Sequence, residues 1–289
     1  MAFRKLRIFF EMIKVEHTLF ALPFAYMGAV LVQGGIPNAH DLIWITLAMI
    51  GARTAAMSLN RLIDRQIDAR NPRTAGRALP RGLLSSLEVW VYVIISLALL
   101  FVSAYNLNML AFKLSPLAVL VLFIYPYTKR FTWLCHLILG LALGIAPMGA
   151  WIAIAGRFDL APMILAAGVT FWVAGFDIIY GCDDFDFDRA EGLYSIPARF
   201  GIKSALIISA AFHALAFVLF VAVAVVLGLG LFYYAGMLLA AVFLFYQHHL
   251  IRPDDLSRSG IAFFNLNAIL SVVTFLFTLA DLLIPIRLL

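Results

Sequence analysis

The stretch DLIWITLAMIGARTAAMSLNRLIDRQID, residues 41–68, places an apolar run directly before a series of polar side chains. The apolar part, 41–59, is long enough to cross a bilayer as one helix. Asn60, Asp64 and Asp68 then follow at every fourth position, which puts them roughly on one face of a helix. The stretch therefore predicts a membrane-spanning helix that ends in a ladder of oxygen atoms.

A second ladder with the same spacing comes later in the chain. Tyr180, Asp184 and Asp188 follow the apolar run 161–180. Carboxylates held close together repel one another unless a cation lies between them, and hard oxygen ligands suit Mg²⁺ with a phosphate as a further ligand. We therefore predict that the two ladders together form a Mg²⁺ site at the membrane surface, and that its chemistry concerns a diphosphate.

The composition makes the whole chain an integral membrane protein. Of its 289 residues, 64% are hydrophobic and 13% are charged, whereas roughly a quarter are charged in soluble proteins. We expect an all-α bundle of nine transmembrane helices forming a single domain over 1–289, preceded by an amphipathic stretch, Phe3 to Val15, at the interface. The nine apolar runs lie at about 18–34, 41–59, 87–106, 110–127, 133–156, 161–180, 203–226, 229–249 and 261–284.

The basic residues set the predicted orientation. Most of the 21 lysines and arginines precede the first span or lie in even-numbered loops, and the remaining loops with the C-terminus hold only Arg157 and Arg287. By the positive-inside rule, the N-terminus, the even loops and both ladders face the cytoplasm. The formal net charge of +5 follows from this orientation, so it does not indicate nucleic acid as a partner.

Arginines follow the first ladder across a turn bounded by Pro and Gly. Arg73, Arg77 and Arg81 bring guanidinium groups next to the acids, and a polyanion held partly by metal and partly by guanidinium needs this combination. The alternative is that these arginines bind anionic lipid headgroups, which is favoured most for Arg81.

Three loops carry a resemblance to a known family. They read NRLIDRQIDARNPRTAGRALP (60–80), YPYTKRFT (125–132) and DIIYGCDDFDFDR (177–189). In this order they resemble the signature loops of the 4-hydroxybenzoate polyprenyltransferases, within the UbiA superfamily of intramembrane prenyltransferases. The resemblance implies a nine-helix bundle of the bacterial cytoplasmic membrane, with a central cavity capped by helices of the even loops. It also implies Mg²⁺-dependent transfer of a prenyl chain from a polyprenyl diphosphate to an aromatic acid.

The resemblance assigns roles to individual residues. The implied catalytic acids are Asp64, Asp68, Asp184 and Asp188, and these four with Asn60 are the implied metal ligands. The implied substrate-binding residues are Asn60, Arg73, Arg77, Lys129 and Arg130, to which the second ladder adds Tyr180.

Two departures from the family pattern concern the acceptor. Arg61 follows Asn60 where the family often has an aspartate, and the segment Lys14 to Phe24 differs from the Lys-Pro form common in hydroxybenzoate enzymes. A naphthoate-type acceptor on a menaquinone pathway is therefore the alternative to a hydroxybenzoate. The prenyl chain length and the oligomeric state stay open.

Arg53 is the basic residue inside the second span. It lies seven positions before Asn60, about 10 Å deeper and on the same helical face. A guanidinium at this depth needs an anionic partner. Either it binds the carboxylate of the aromatic acid, or it forms a structural pair with Asp177.

An ion-coupled transporter is the remote alternative, because transporters also carry acids within the membrane. Such a protein places ionisable residues at the bilayer centre, on interrupted helices. Here the acids stand at helix ends with arginines beside them, which favours the enzyme.

Overall fold

The structure is a computed structural model that describes residues 2–14 and 18–286. Val15, the last residue of the predicted amphipathic stretch, and Arg287 lie outside the described residues. The helices in chain order are α1 (Ala2–Ile13), α2 (Thr18–Gln33), α3 (Ala39–Ile63), α4 (Arg65–Arg70), α5 (Ser86–Leu107), α6 (Met109–Thr128), α7 (Cys135–Ala155), α8 (Leu160–Gly181), α9 (Phe185–Ala190), α10 (Ile196–Phe200), α11 (Ile202–Leu227), α12 (Leu231–Leu250) and α13 (Asn267–Leu283). A 3-10 turn, Cys182–Asp184, joins α8 to α9, and a π-helical segment, Ile261–Leu266, leads into α13.

The predicted all-α membrane bundle is confirmed. Eight helices in the described ranges are long and apolar enough to cross a membrane, and α2 adds a shorter apolar helix. These nine helices correspond one by one to the nine predicted runs. The predicted amphipathic stretch forms α1, which buries Phe9, Met12 and Ile13 against the bundle while Phe3 and Phe10 stay exposed.

Polar residues in the sequence define where several helices begin. The side chain of Asn38 accepts a hydrogen bond from the backbone N–H of Asp41 at the start of α3. Ser85 and Glu88 form a capping box at the start of α5. These side chains satisfy backbone N–H groups that have no partner within the first helical turn.

Small residues allow the helices that carry the ladders to pack closely against their neighbours. A Cβ atom built on Gly140 of α7 would lie 2.2 Å from the carbonyl oxygen of Thr170 on α8. A Cβ atom on Gly51 of α3 would lie 2.6 Å from the carbonyl oxygen of Ser96 on α5. In membranes such close approach supplies the packing energy that holds helices together. Both ladder helices, α3 and α8, are fixed in this way.

The even loops form the predicted cap of short helices. α4 follows α3, while α9 and α10 follow α8. An ion pair between Arg70 and Glu191, 2.9 Å long, joins the loop after α3 to the loop after α8. The backbone N–H of Tyr194 donates to the carbonyl of Lys129 at 2.7 Å, which ties in the loop after α6. The three loops that carry the predicted site residues are therefore one connected layer.

Candidate active site

Both ladders line one cavity of about 610 Å³. The cavity follows α7 from His136 near its first turn to Phe158 beyond its last. Its polar end holds all the predicted site residues except Arg130. They are Arg53, Asn60, Asp64, Asp68, Arg73, Arg77, Lys129, Tyr180, Asp184 and Asp188.

The first ladder keeps its register although α3 ends within it. Asp64 stands at the junction of α3 and α4 with φ −91° and ψ 3°. Its backbone N–H still donates to the carbonyl of Asn60 at 3.0 Å, and the N–H of Asp68 donates to the carbonyl of Asp64 at 2.8 Å. Because both bonds have helical spacing, the three side chains stay on the cavity side, as the sequence predicts.

Asp64 is the most buried acid of the two ladders, with 2% of its surface exposed. Lys129 Nζ donates to its Oδ2 at 2.6 Å, and Arg130 Nη2 donates to its Oδ1 at 3.2 Å. Arg130 also donates to the carbonyl of Ile63 at 2.8 Å. Lys129 and Arg130 therefore neutralise Asp64. Lys129 lines the cavity, whereas Arg130 does not.

Asp68 leaves one carboxylate oxygen without a hydrogen bond. Arg77 Nη1 donates to its Oδ1 at 2.6 Å. Its Oδ2 is buried and has no hydrogen-bond partner among the described residues, and Arg61 Nη1 stands 3.9 Å away. A buried oxygen in this state costs free energy unless a further group satisfies it. Asp68 Oδ2 is thus an unused ligand position on the cavity.

Arg73 joins the second ladder to the loop of the first. It donates from Nε to Asp184 Oδ1 at 2.9 Å and makes a second bond from Nη2 to Oδ2, while Asn71 donates to Oδ1 at 2.8 Å. Its Nη1 donates to the hydroxyl of Tyr180 at 2.5 Å. Burial alone would lower the pKa of Arg73, but its bonds to Asp184 and Tyr180 outweigh burial and raise that pKa above its usual value. Arg73 is therefore a permanent cation in the site.

Asp188 and Tyr180 complete the second ladder. Ser195 donates from its hydroxyl to Asp188 Oδ2 at 2.9 Å. The ring of Tyr180 stacks on Phe263 with 4.2 Å between centroids, and Phe263 lies in the π-helical segment before α13. Segments of this kind often occur at functional sites because they change which side chains face inward.

The sequence interpretation missed a cation, Arg61. Its guanidinium is buried on the cavity, and Nη1 donates to Asn60 Oδ1 at 3.2 Å. Its spacing of seven residues from Asp68 was a usable signal, since it is the spacing that links Arg53 to Asn60.

Arg53 lies on the predicted face and reaches the cavity. It donates to the backbone carbonyl of Ile13 at 3.3 Å and to that of Lys14 at 2.8 Å. Asp177, the alternative partner in the prediction, is paired with His136 at 2.7 Å. The backbone N–H of Ile196 points to the other ring nitrogen of His136 at 3.4 Å. This second pair, which the sequence does not predict because its members lie on different helices, also lines the cavity.

Three of the four ladder aspartates, Asp64, Asp68 and Asp184, each form an ion pair with a lysine or arginine. Lys129 pairs with Asp64, Arg77 with Asp68 and Arg73 with Asp184. Among residues 2–14 and 18–286, no three Asp, Glu, His or Cys side chains lie close enough to hold a metal ion by themselves. The carboxylate oxygens of the two ladders nonetheless suit Mg²⁺, which prefers hard oxygen ligands. One of them, Asp68 Oδ2, accepts no hydrogen bond from the described residues. Metal binding at the ladders stays a prediction.

Comparisons with known proteins agree with the motifs. Residues 21–269 match the UbiA prenyltransferase family. The chain is similar to the 4-hydroxybenzoate octaprenyltransferase of Vibrio cholerae, with 30% identity over 273 residues that cover 93% of this chain and 96% of that protein. It is also similar to the enzyme of that name from Aliivibrio salmonicida, with 32% identity over 82% of this chain and 83% of that one.

Solved structures share the fold. A UbiA homologue from Aeropyrum pernix K1 is 37% identical, with a TM-score of 0.80 over 93% of this chain and 98% of its own. A UbiA homologue from Archaeoglobus fulgidus, described as bound to DMAPP and Mg²⁺, is 20% identical, with a TM-score of 0.72 over 96% of this chain and 99% of its own.

Proposed function

The chain belongs to the UbiA prenyltransferase family, and from this premise we propose that it transfers a polyprenyl group from polyprenyl diphosphate to an aromatic acid in quinone biosynthesis. The observation that carries the proposal is a single cavity with acids and cations at one end and an apolar wall along the rest. Such a cavity accepts both halves of a polyprenyl diphosphate. Family membership also removes the ion-coupled transporter as an alternative.

The polar end can exchange its ion pairs when a metal and a diphosphate bind. Arg73, Arg77 and Lys129 each satisfy one ladder carboxylate. A bound diphosphate would accept charge-assisted hydrogen bonds from these cations, and the carboxylates they release would then be available to hold Mg²⁺. We assign Asn60, Asp64, Asp68, Asp184 and Asp188 as the residues that would hold Mg²⁺. When bound, the metal supplies stabilisation of the negative charge on the leaving pyrophosphate.

The protein's own cations serve the step in which the carbon–oxygen bond breaks. The electron pair of this bond leaves with the pyrophosphate, and donors from Arg73, Arg77 and Lys129 face the charge that develops there. The allylic cation left behind is attacked by a ring carbon of the acceptor, ortho to the phenol in a hydroxybenzoate, and the ring then loses its proton. The apolar wall keeps water away from the cation, which would otherwise be quenched.

Arg53 is the residue we propose for the acceptor carboxylate. It lies about two helical turns, roughly 10 Å, from Asn60 along α3. Its partners in the structure include the neutral carbonyls of Ile13 and Lys14. A carboxylate forms a stronger, charge-assisted hydrogen bond to guanidinium than a carbonyl does, so an aromatic acid can displace them.

A naphthoate-type acid on a menaquinone pathway is the second candidate acceptor. The observation that favours it is Arg61, a buried cation on the cavity at the position where the hydroxybenzoate pattern often has an acid. Arg53 can hold the carboxylate of either acceptor. We further propose that the polar end of the cavity faces the cytoplasm of a bacterial cell, since the basic residues concentrate in the loops at this end.

The first expected result is pyrophosphate release from a polyprenyl diphosphate by the purified protein in detergent, dependent on both Mg²⁺ and an aromatic acid. Parallel reactions with 4-hydroxybenzoate and with dihydroxynaphthoates, followed by mass detection of the prenylated ring, identify the acceptor. Hydroxybenzoate product supports the first candidate, and naphthoate product supports the second. Release that needs no aromatic acid would contradict prenyl transfer.

Replacement of Asp184 by Asn should lower turnover by about 10² or more, because it removes a charged group that faces the metal and the diphosphate. Asp64→Asn should behave likewise. The matched control is Asp186→Asn, since Asp186 lies in the same loop but is exposed and does not line the cavity. Thermal unfolding in detergent checks that each variant is folded. Activity of folded Asp184→Asn within a few fold of the Asp186→Asn control would rule out the site.

Arg53→Ala should raise the KM for the aromatic acid far more than the KM for the polyprenyl diphosphate, because only the acid uses this guanidinium. A phenol that lacks the carboxylate provides the substrate control, and its turnover should be nearly the same in both proteins. Steady-state kinetics with each substrate varied in turn measure the difference. Equal losses for both substrates would instead assign Arg53 to holding the end of α1.

A further inference from the structure

The part of the cavity that lies away from the ladders is apolar and runs along one face of α7. We call this part the arm. Ala142, Ala146, Gly149 and Ala153 recur at every third or fourth position and all line the cavity. Such spacing puts them on one side of a helix. Leu and Ala side chains of α5 and α6 also line the cavity, among them Leu100, Ala104, Leu114 and Ala118.

Gly149 differs from the other glycines of α7 that border a neighbouring helix. A Cβ atom on Gly144 would lie 2.6 Å from the carbonyl oxygen of Ala166, so helix packing requires the glycine there. A Cβ atom on Gly149 would meet no atom within 4 Å. Its φ is not in the left-handed region either. Neither helix packing nor backbone conformation requires a glycine at position 149. The missing side chain leaves this part of the cavity unfilled.

The depth of Gly149 can be expressed in isoprene units. At about 1.5 Å per residue, the distance along α7 from His136 to Gly149 is about 20 Å. One extended isoprene unit adds four carbon–carbon bonds of about 1.5 Å each, or about 5 Å of length along the zigzag chain. A tail whose diphosphate lies at the ladders therefore reaches Gly149 after about four units.

The helices that line the arm are tied together below Gly149. Asn108, at the turn between α5 and α6, donates from Nδ2 to the carbonyls of Ile152 and Ala153, both at 2.7 Å. These bonds hold the last turn of α7 against the turn that follows α5. The arm is therefore a preformed volume, and its other end carries the unsatisfied Asp68 Oδ2, which indicates a charged head group.

We propose that Gly149 determines chain-length specificity, by leaving open the part of the arm that tails longer than about four isoprene units fill. This inference rests on the proposed function and deepens it, because it assigns the substrate class as long-chain polyprenyl diphosphates. A competing path exists at Leu117 of α6, which lines the cavity and is 58% exposed. A tail that leaves through this gap into the bilayer does not pass Gly149.

The experiment compares Gly149→Phe with the unmodified protein on two diphosphates, geranyl and octaprenyl, with Mg²⁺ and the aromatic acid identified for the unmodified protein. For Gly149→Phe, kcat/KM for octaprenyl diphosphate should fall by about 100-fold, because the phenyl ring excludes the distal units from their apolar contacts. With geranyl diphosphate it should fall by less than about threefold, since this tail ends above the substitution.

Leu141→Phe is the matched control, because Leu141 lies on α7 but is exposed on the outside of the bundle and does not line the cavity. It should leave the ratio of the two kcat/KM values unchanged. The smaller Gly149→Val tests the same idea with less risk to folding, and its ratio should shift in the same direction by about tenfold.

If the ratio of kcat/KM for octaprenyl to that for geranyl diphosphate is unchanged in both Gly149 variants, the inference is overturned. The tail then leaves the cavity before it reaches Gly149. Equal loss of both substrates in Gly149→Val would also overturn it, because Gly149 would then serve the fold. If the unmodified protein releases pyrophosphate from neither diphosphate, the proposed function fails, and this inference fails with it.

Discussion

Buried carboxylates at the end of a membrane helix must be neutralised, and the polar half of this structure is arranged around that requirement. Asp64 and Asp68 are almost fully buried, and each has a lysine or arginine within hydrogen-bonding distance. Removal of one partner from a buried pair leaves an uncompensated charge that costs several kcal/mol, about 3–5 in measured cases. Lys129 comes from the loop after α6, so its pair with Asp64 also ties that loop to the end of α3.

This arrangement explains how one site can be stable without substrate and reactive with it. The cations that neutralise the acids are those proposed to receive the diphosphate, and the acids they release are those proposed to receive the metal. Asp64, Asp68 and Asp184 would each exchange a cation of the protein for the metal, so these buried charges would keep an opposite charge beside them. Asp68, with one oxygen already unused, is the natural first point of metal contact.

Much of this architecture could be predicted from the sequence, because the signals are local. Span length and the four-residue spacing of the ladders depend on residues close in the chain, and the structure keeps both. The partners of Arg53 and Arg61 could not be predicted in the same way. Arg53 binds carbonyls at the end of α1, and these depend on how α1 packs against α3. Likewise, the contrast between Gly144 and Gly149 depends on which face of α7 meets α8, and the sequence alone does not show this.

Metal and diphosphate binding between the two ladders can be tested by a crystal structure of the protein with Mn²⁺ in place of Mg²⁺ and a non-reactive thiolodiphosphate analogue of the prenyl substrate. The anomalous signal of Mn²⁺ locates the metal independently of the protein atoms. We expect metal within about 2.0–2.5 Å of carboxylate oxygens from both ladders, including Asp68 and Asp184, with the diphosphate beside Arg73, Arg77 and Lys129. A diphosphate bound with no metal signal, or metal bound away from the ladders, would contradict it.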